Sequence, residues 1–346
     1  MPLADLTTAI RAKVVAAAAA LNSALVNLQS VSDDSTAIDA LPPSGGYSPL
    51  PAIFTNPKPN QVFQKNASGV ADIRIEWRGT AQLARLKQGG VTVASHEKGD
   101  FTDIAAGWYD AVLVTDGVEG DTIKVGVGDV FLVCGQSNGI SPLQPATYMP
   151  PRPSAPGKVI VSDYYGQGRN SFVDTYDCPI SPTPGFAGCC WMTCGIALNR
   201  SYPVMFVIMS KGSSSTTDWV SGLGSRIFEG LVKYAPKAFL WHQGESDSVL
   251  QIPQGTSYSN MNALVQSLRA VTMTPWLIAL NSINGGYAPI RGAQDLLVTN
   301  WPGICKYGPD TDTIRDPIVN PDPEFHGVQL EQHGQLWAAN IIANGL

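Results

Sequence analysis

Hydrophobic positions along the chain fall into three regimes. Over residues 3–30, Leu3, Leu6, Ile10, Val14, Leu21, Leu25 and Leu28 recur mainly at threes and fours, the spacing that gathers side chains onto one stripe of an α-helix. The other faces are mostly alanine, so such a helix needs a partner to bury its stripe. Self-association, attachment to a larger assembly and folding back onto its own domain are the three ways to supply one. Residues 31–51 break the pattern with Pro42-Pro43-Ser44-Gly45-Gly46 and read as a linker. From residue 52 the period drops to two. Val70, Asp72, Arg74 and Glu76 share one parity, and Ala71, Ile73, Ile75 and Trp77 the other. Further strands are predicted over 91–94, 108–115 and 122–127, with Gly89-Gly90, Gly99-Asp100 and Asp116-Gly117 as turns. Many short strands without a long helical pattern predict a small β-sandwich domain over 52–128.

From residue 129 the apolar runs become nearly continuous, at 130–134, 204–209, 238–241 and 275–280. Strands of a parallel sheet buried on both faces have this character. Helical patterns at 187–199, 222–234, 257–270 and 331–343 alternate with them, so the expected fold class is α/β, a three-layer doubly wound parallel sheet over 129–346. Active residues of such folds collect beyond the carboxyl ends of the strands. Gly135-Gln136-Ser137-Asn138, Lys211-Gly212-Ser213 and His242-Gln243-Gly244-Glu245 each follow a strand directly and are expected on one rim.

Composition narrows the function classes. A hydrophobic share of 44% against 14% charged residues describes a packed chain, and 34 glycines with 26 prolines describe long shaped loops. A formal charge of -6 without a basic run gives no footprint for nucleic acid or an anionic membrane. No apolar stretch reaches the length of a membrane span. Arg11 and Lys13 ahead of the apolar run 14–21 are arranged as in a secretory signal, but Asp5 and the polar continuation through Gln29 favour an ordinary helix. The six cysteines, Cys134, Cys178, Cys189, Cys190, Cys194 and Cys305, do not form metal-binding knuckles. Cys134 reads as a buried thiol; pairing among the other five stays open.

A serine hydroxyl is a weak nucleophile until an oriented base takes its proton. Ser137 follows a strand between Gly135 and Gly139, which permit a sharp turn and close substrate approach. Of the four histidines, His96 reads as surface in the β-domain and His333 as outward-facing on the last helix, leaving His326 and His242 as candidate bases. Asp322 and Glu324 both stand near enough to orient His326, and Pro321 and Pro323 stiffen that loop. Gln243 can offer an amide N–H to an oxyanion. Glu245 and Asp247 serve either the site or the anchoring of their own loop.

Gly135-Gln136-Ser137-Asn138 together with Trp241-His242-Gln243-Gly244-Glu245-Ser246-Asp247 resembles the sialate O-acetylesterase-type branch of the SGNH/GDSL hydrolases, a branch that includes plant and bacterial carbohydrate acetylesterases. The similarity covers 129–343, and the preceding β-domain resembles one that accompanies such esterases. The resemblance implies an SGNH-like sheet, Ser137 as nucleophile and His326 as base. It places Gly212 in the family's glycine block, with Trp219 at the tryptophan that follows. Gln243 matches the oxyanion-hole asparagine of the wider superfamily, and the backbone N–H groups of Ser137 and Gly212 would complete the hole. The family's aspartate precedes its histidine by three residues, where this chain has Pro323. Asp322 is favoured for that role over Glu324, and a Ser–His dyad is the third option. Another register would put Gln329 at the histidine; the spacing from His326 to Gly334 argues for His326.

The function so implied is removal of O-acetyl groups from a carbohydrate through an acetyl-serine, with no metal or organic cofactor. Asn138, Trp219, His242 and Glu245 are the substrate-binding candidates, with Tyr164, Tyr165, Trp276 and Trp301 as further aromatics for a sugar cleft. The expected partner is an acetylated glycan. A helix and a β-domain ahead of the esterase resemble viral tail-associated glycan esterases, which favours an extracellular or virion-associated setting. The competing class is a glycan-binding or structural tail component whose α/β domain has lost activity.

Overall fold

The computed structural model describes residues 51–140, 158–163, 172–174, 189–282, 287–314 and 329–346. The helix expected over 3–30, nearly all of the linker, Tyr164, Tyr165, Cys178, Asp322, Glu324 and His326 lie outside the described residues.

The alternation over 70–77 sends Ala71, Ile73 and Ile75 inward and Asp72, Arg74 and Glu76 outward. The segment is nevertheless two strands, because its partner changes where the Ile75 N–H donates to the Gly99 carbonyl (2.8 Å). In chain order the β layer comprises β1 (Ile53–Asn56), β2 (Gln61–Gln64), β3 (Val70–Arg74), β4 (Glu76–Arg78), β5 (Leu83–Gln88), β6 (Val91–His96), β7 (Asp100–Ala105), β8 (Gly107–Thr115) and the first half of β9 (Val118–Gly135). β1 pairs with β4 and β3 with β7, while β2, β9, β8, β5 and β6 lie side by side in that order. Ile73, Leu86, Phe101, Tyr109, Leu113 and Val125 close a core of their own.

The two strands expected at 122–127 and 130–134 are a single element. β9 runs through Gly128-Asp129 without interruption and becomes the central strand of a second sheet. Gly128 marks a close crossing and not a break: a Cβ there would lie 1.9 Å from the Pro203 carbonyl oxygen. The second sheet adds β10 (Val159–Asp163), β11 (Phe172–Asp174), β12 (Val204–Ile208), β13 (Ala238–His242), β14 (Trp276–Leu280) and β15 (Cys305–Asp310). Their order is β11-β10-β12-β9-β13-β14-β15, parallel throughout except for the antiparallel β11.

Helices cover both faces, as the continuous apolar runs require. Numbered in chain order, α1 is Ser137–Ile140, α2 Cys190–Leu198, α3 Gly224–Tyr234, α4 Glu245–Val249, α5 Gln254–Arg269, α6 Pro289–Asn300 and α7 Leu330–Ala343. Val130, Leu132 and Cys134 face α3, α5 and α6, whose Ile227, Val265 and Leu297 fill that side. Phe131 and Val133 face α2 and α7, where Trp191 packs on Phe206 and Trp337 (centroids 5.2 and 5.4 Å). Each such fully buried side chain contributes about 1.5–3 kcal/mol. Cys134, Cys189, Cys194 and Cys305 are buried thiols, and burial pushes Cys305 up to about 12. No helix among the described residues is long and apolar enough to cross a membrane.

Candidate active site

Three strand ends converge. Gly135, the last residue of β9, lies level with His242 at the end of β13, and the Lys211 N–H beyond β12 donates to the Gly135 carbonyl (2.8 Å). The chain turns sharply at Gly135, where φ is +117° and a Cβ would sit 1.9 Å from the His242 carbonyl oxygen. Only glycine fits a left-handed φ against a neighbouring backbone. Gln136 N–H then donates to that same carbonyl (2.9 Å), and Ser137 opens α1, half-buried at the rim. Behind it the Trp191 indole N–H donates to the Gly139 carbonyl (2.8 Å).

A buried polar network locks this turn to the loop after β13. The Gln136 Oε1 accepts from Gln243 Nε2 (3.0 Å), Gly244 N (3.2 Å) and Ser246 N (3.0 Å). Gln243 Nε2 also donates to the Ser214 carbonyl (2.6 Å) and to Asp247 Oδ2 (2.9 Å), while its Oε1 accepts from the Trp219 indole (3.2 Å). Asp247 receives the Thr216 N–H (2.9 Å) and hydroxyl (2.6 Å). Burial still dominates and raises the Asp247 carboxyl above its ordinary range. On the far side, Gln294 Nε2 of α6 donates to the carbonyls of Gln243 (2.8 Å) and Ala279 (3.0 Å).

Beneath α1 lies a second cluster. His242 Nε2 is 3.2 Å from Glu245 Oε1, both side chains fully buried. Burial pushes the Glu245 carboxyl up, but the adjacent His242 outweighs it and holds it below the usual range. The His333 ring stands edge-on to His242 (5.0 Å, 86°) and accepts the Trp337 indole N–H (3.0 Å). Burial and the neighbouring His242 keep His333 well below the ordinary histidine value.

These positions revise several expectations. Gln243 has two amide protons and three acceptors within reach, so none is left for an oxyanion; its role is to hold the Ser137 turn against the β13 loop. Asn138, Trp219, His242 and Glu245 are all fully buried. Trp219 belongs to an aromatic core with Trp241 (5.3 Å) and Trp276 is likewise buried, whereas Trp301 bonds Asn262 through its indole. His333 points inward and not outward, because Leu330, His333, Trp337 and Ile341 share the face of α7 packed on the sheet. That spacing of threes and fours was a readable signal. His96 is half-buried, its Nδ1 accepting from the Lys98 and Asp100 N–H groups of its own turn. Gln136, Ser214, Thr216 and Gln294 were not foreseen as parts of the network; Gln136 and Ser214 lay inside recognised motifs, Thr216 and Gln294 in none.

Gly212 lies beside α1, the Ile140 side chain 3.9 Å from where its Cβ would stand. From it opens a groove of about 470 Å³ walled by the loop 211–214 and the turn that follows. That turn runs from Thr216–Asp218 into a π-helical stretch, Trp219–Leu223.

No protein-family model and no curated protein matches the chain. Among solved structures, a carbohydrate acetylesterase from Xanthomonas citri aligns with a TM-score of 0.55 at 18% identity, over 85% of this chain and 76% of that one. A protein from Arabidopsis thaliana aligns with a TM-score of 0.47 at 18% identity, over 62% of this chain and 98% of its own. A family two carbohydrate esterase from Cellvibrio japonicus aligns with a TM-score of 0.41 at 10% identity, over 79% and 87%. The first of these establishes a shared fold: this chain carries the same α/β architecture, a mostly parallel sheet between helices, as the Xanthomonas esterase.

Proposed function

We propose that the chain is a serine ester hydrolase of the SGNH type that removes O-acetyl groups from a carbohydrate. The observation that carries this reading is the locked rim, where Gln136 Oε1 ties the Ser137 turn to Gln243, Gly244 and Ser246. A network of this kind fixes a nucleophile's backbone before substrate arrives, and preorganisation is what such sites need.

In the proposed reaction Ser137 Oγ attacks the acetyl carbonyl as His326 takes its proton. Asp322, or Glu324 in its place, orients the imidazole and balances its charge. The oxyanion is held by the backbone N–H groups of Ser137 and Gly212, each worth about 3 kcal/mol in the transition state. Collapse of the tetrahedral intermediate breaks the ester C–O bond, His326 returns the proton to the departing sugar hydroxyl, and the acetyl group stays on Ser137. Water activated by the same histidine then attacks, releasing acetate and restoring the serine.

The test is acetate release from an O-acetylated polysaccharide and from a chromogenic acetate ester. Ser137→Ala is expected to lower both by about a thousandfold or more, with an unchanged circular-dichroism spectrum. Undiminished turnover would remove the assignment of Ser137, and an inactive wild type that still binds glycan would move the reading to a binding module.

A further inference from the structure

We infer that the groove beside Gly212 is the sugar subsite, and that it is built for a neutral polyhydroxylated ring and not for a sialate or uronate. The inference rests on the esterase reading above and adds to it where the sugar lies and what kind it is.

The groove begins at the loop whose Lys211 N–H bonds the carbonyl of Gly135, two residues before Ser137, and it includes Gly212, the second proposed oxyanion donor. The residues first expected to bind substrate are buried, whereas Lys211, Ser213, Asp218 and Ser221 line the groove with exposed side chains. Their chemistry suits hydroxyl groups. Lys211 donates and makes no ion pair among the described residues. Asp218 is held by the Ser215 N–H and hydroxyl, both 2.8 Å from Oδ2, and its Oδ1 has no bond among the described residues. The Ser215 N–H above all keeps that carboxyl below its ordinary range, so it stays an ionised acceptor. Leu223 adds an apolar patch for the C–H face of a ring.

The charges decide the class of sugar. Lys211 and Asp218 are one cation and one anion, so the groove offers an acidic sugar no net attraction, and a chain of net charge -6 adds repulsion. A neutral ring can use both groups, one as donor and one as acceptor. The wall is also shaped for occupancy. Ser213 adopts a left-handed backbone (φ 57°), and Trp219–Leu223 is π-helical, both costly local forms that cluster at binding sites. Gly222 faces open space, nothing lying within 4 Å of its missing Cβ.

Gly222→Phe would therefore fill the groove without forcing the fold, and Asp218→Asn would remove its ionised acceptor. Both are compared with wild type on an O-acetylated cello-oligosaccharide, an O-acetylated oligogalacturonide of equal length, and p-nitrophenyl acetate. The expected result is that wild type prefers the neutral oligosaccharide, with a KM insensitive to salt. Each variant should lower the ratio of kcat/KM on that oligosaccharide to kcat/KM on the small ester at least tenfold. Binding gives a second measurement: Ser137→Ala should bind the neutral oligosaccharide at least tenfold more tightly than Ser137→Ala/Gly222→Phe. Preference for the galacturonide, with a KM that rises with salt, overturns the neutral class, and unchanged ratios or affinities overturn the subsite. Failure of wild type on all three substrates, with groove-dependent binding intact, overturns the esterase reading and leaves the sugar site standing.

Discussion

At the scale of single residues the site is a set of buried polar groups whose protonation is tied to folding. His333 is held far below its ordinary value in the folded chain, so below about pH 6.5 the unfolded state binds the extra proton and the folded state does not. Stability is therefore full above that pH and falls as pH drops through the window down to the depressed folded value. Glu245 acts in the same direction at lower pH, since its depressed carboxyl must be protonated as the chain unfolds in acid. One such group contributes a slope of at most about 1.4 kcal/mol per pH unit. Thermal melts between pH 5 and 7 should show this loss in wild type. His333→Gln keeps an acceptor for the Trp337 indole but has nothing to titrate, and its melting temperature should vary less over that range. An equal slope in the variant would show that the acid sensitivity arises elsewhere.

Among elements, those legible in advance are those that satisfy one physical demand throughout. β12, β13 and β14 are buried on both faces and so read as unbroken apolar runs; the stretch 70–77 is buried on one face and so alternates. Where an element serves mixed demands the pattern fails. β15 carries Gly308 and Pro309 amid Lys306 and Asp310 at the end of the sheet, and α6 buries Gln294 among Ile290, Ala293 and Leu297. The motif residues were likewise legible as residues, but not in the direction they face. Whether Gln243 looks at an oxyanion or at Gln136, Ser214 and Asp247 depends on partners from separate loops. Gly135 was legible as a turn, and the structure adds the reason it must be glycine. Gly135→Ala drives a Cβ into the His242 backbone at a left-handed φ, and is expected to cost about 3 kcal/mol or more in urea unfolding together with the activity. Gly255→Ala, on the exposed start of α5 with nothing within 4 Å, is the contrast and should be neutral or stabilising. Equal effects at the two positions would contradict the steric account.

At the scale of the whole molecule, β9 carries the β layer into the α/β sheet, and Asp129 sits where the two meet. Its fully buried carboxylate gathers Lys65 (3.3 Å) from beyond β2, Lys237 (3.1 Å) from ahead of β13, Arg200 (3.7 Å) and the Tyr202 hydroxyl (3.2 Å). Lys65 belongs to the β layer and the others to the α/β part, so one carboxylate neutralises cations from both. Leu50–Leu346 is accordingly one compact unit, and a break in either half exposes groups that the other half pairs. Denaturation followed by near-UV and far-UV circular dichroism should therefore trace one coincident transition. Asp129→Ala removes the fully buried partner of Lys65, Lys237 and Arg200 and should cost about 3 kcal/mol, the lower end for a broken buried pair. Because the carboxylate is out of reach of salt, that cost should persist in 1 M sodium chloride, where an exposed pair would be screened away. Two separate transitions in wild type, or a cost abolished by salt, would show that Asp129 does not couple the halves.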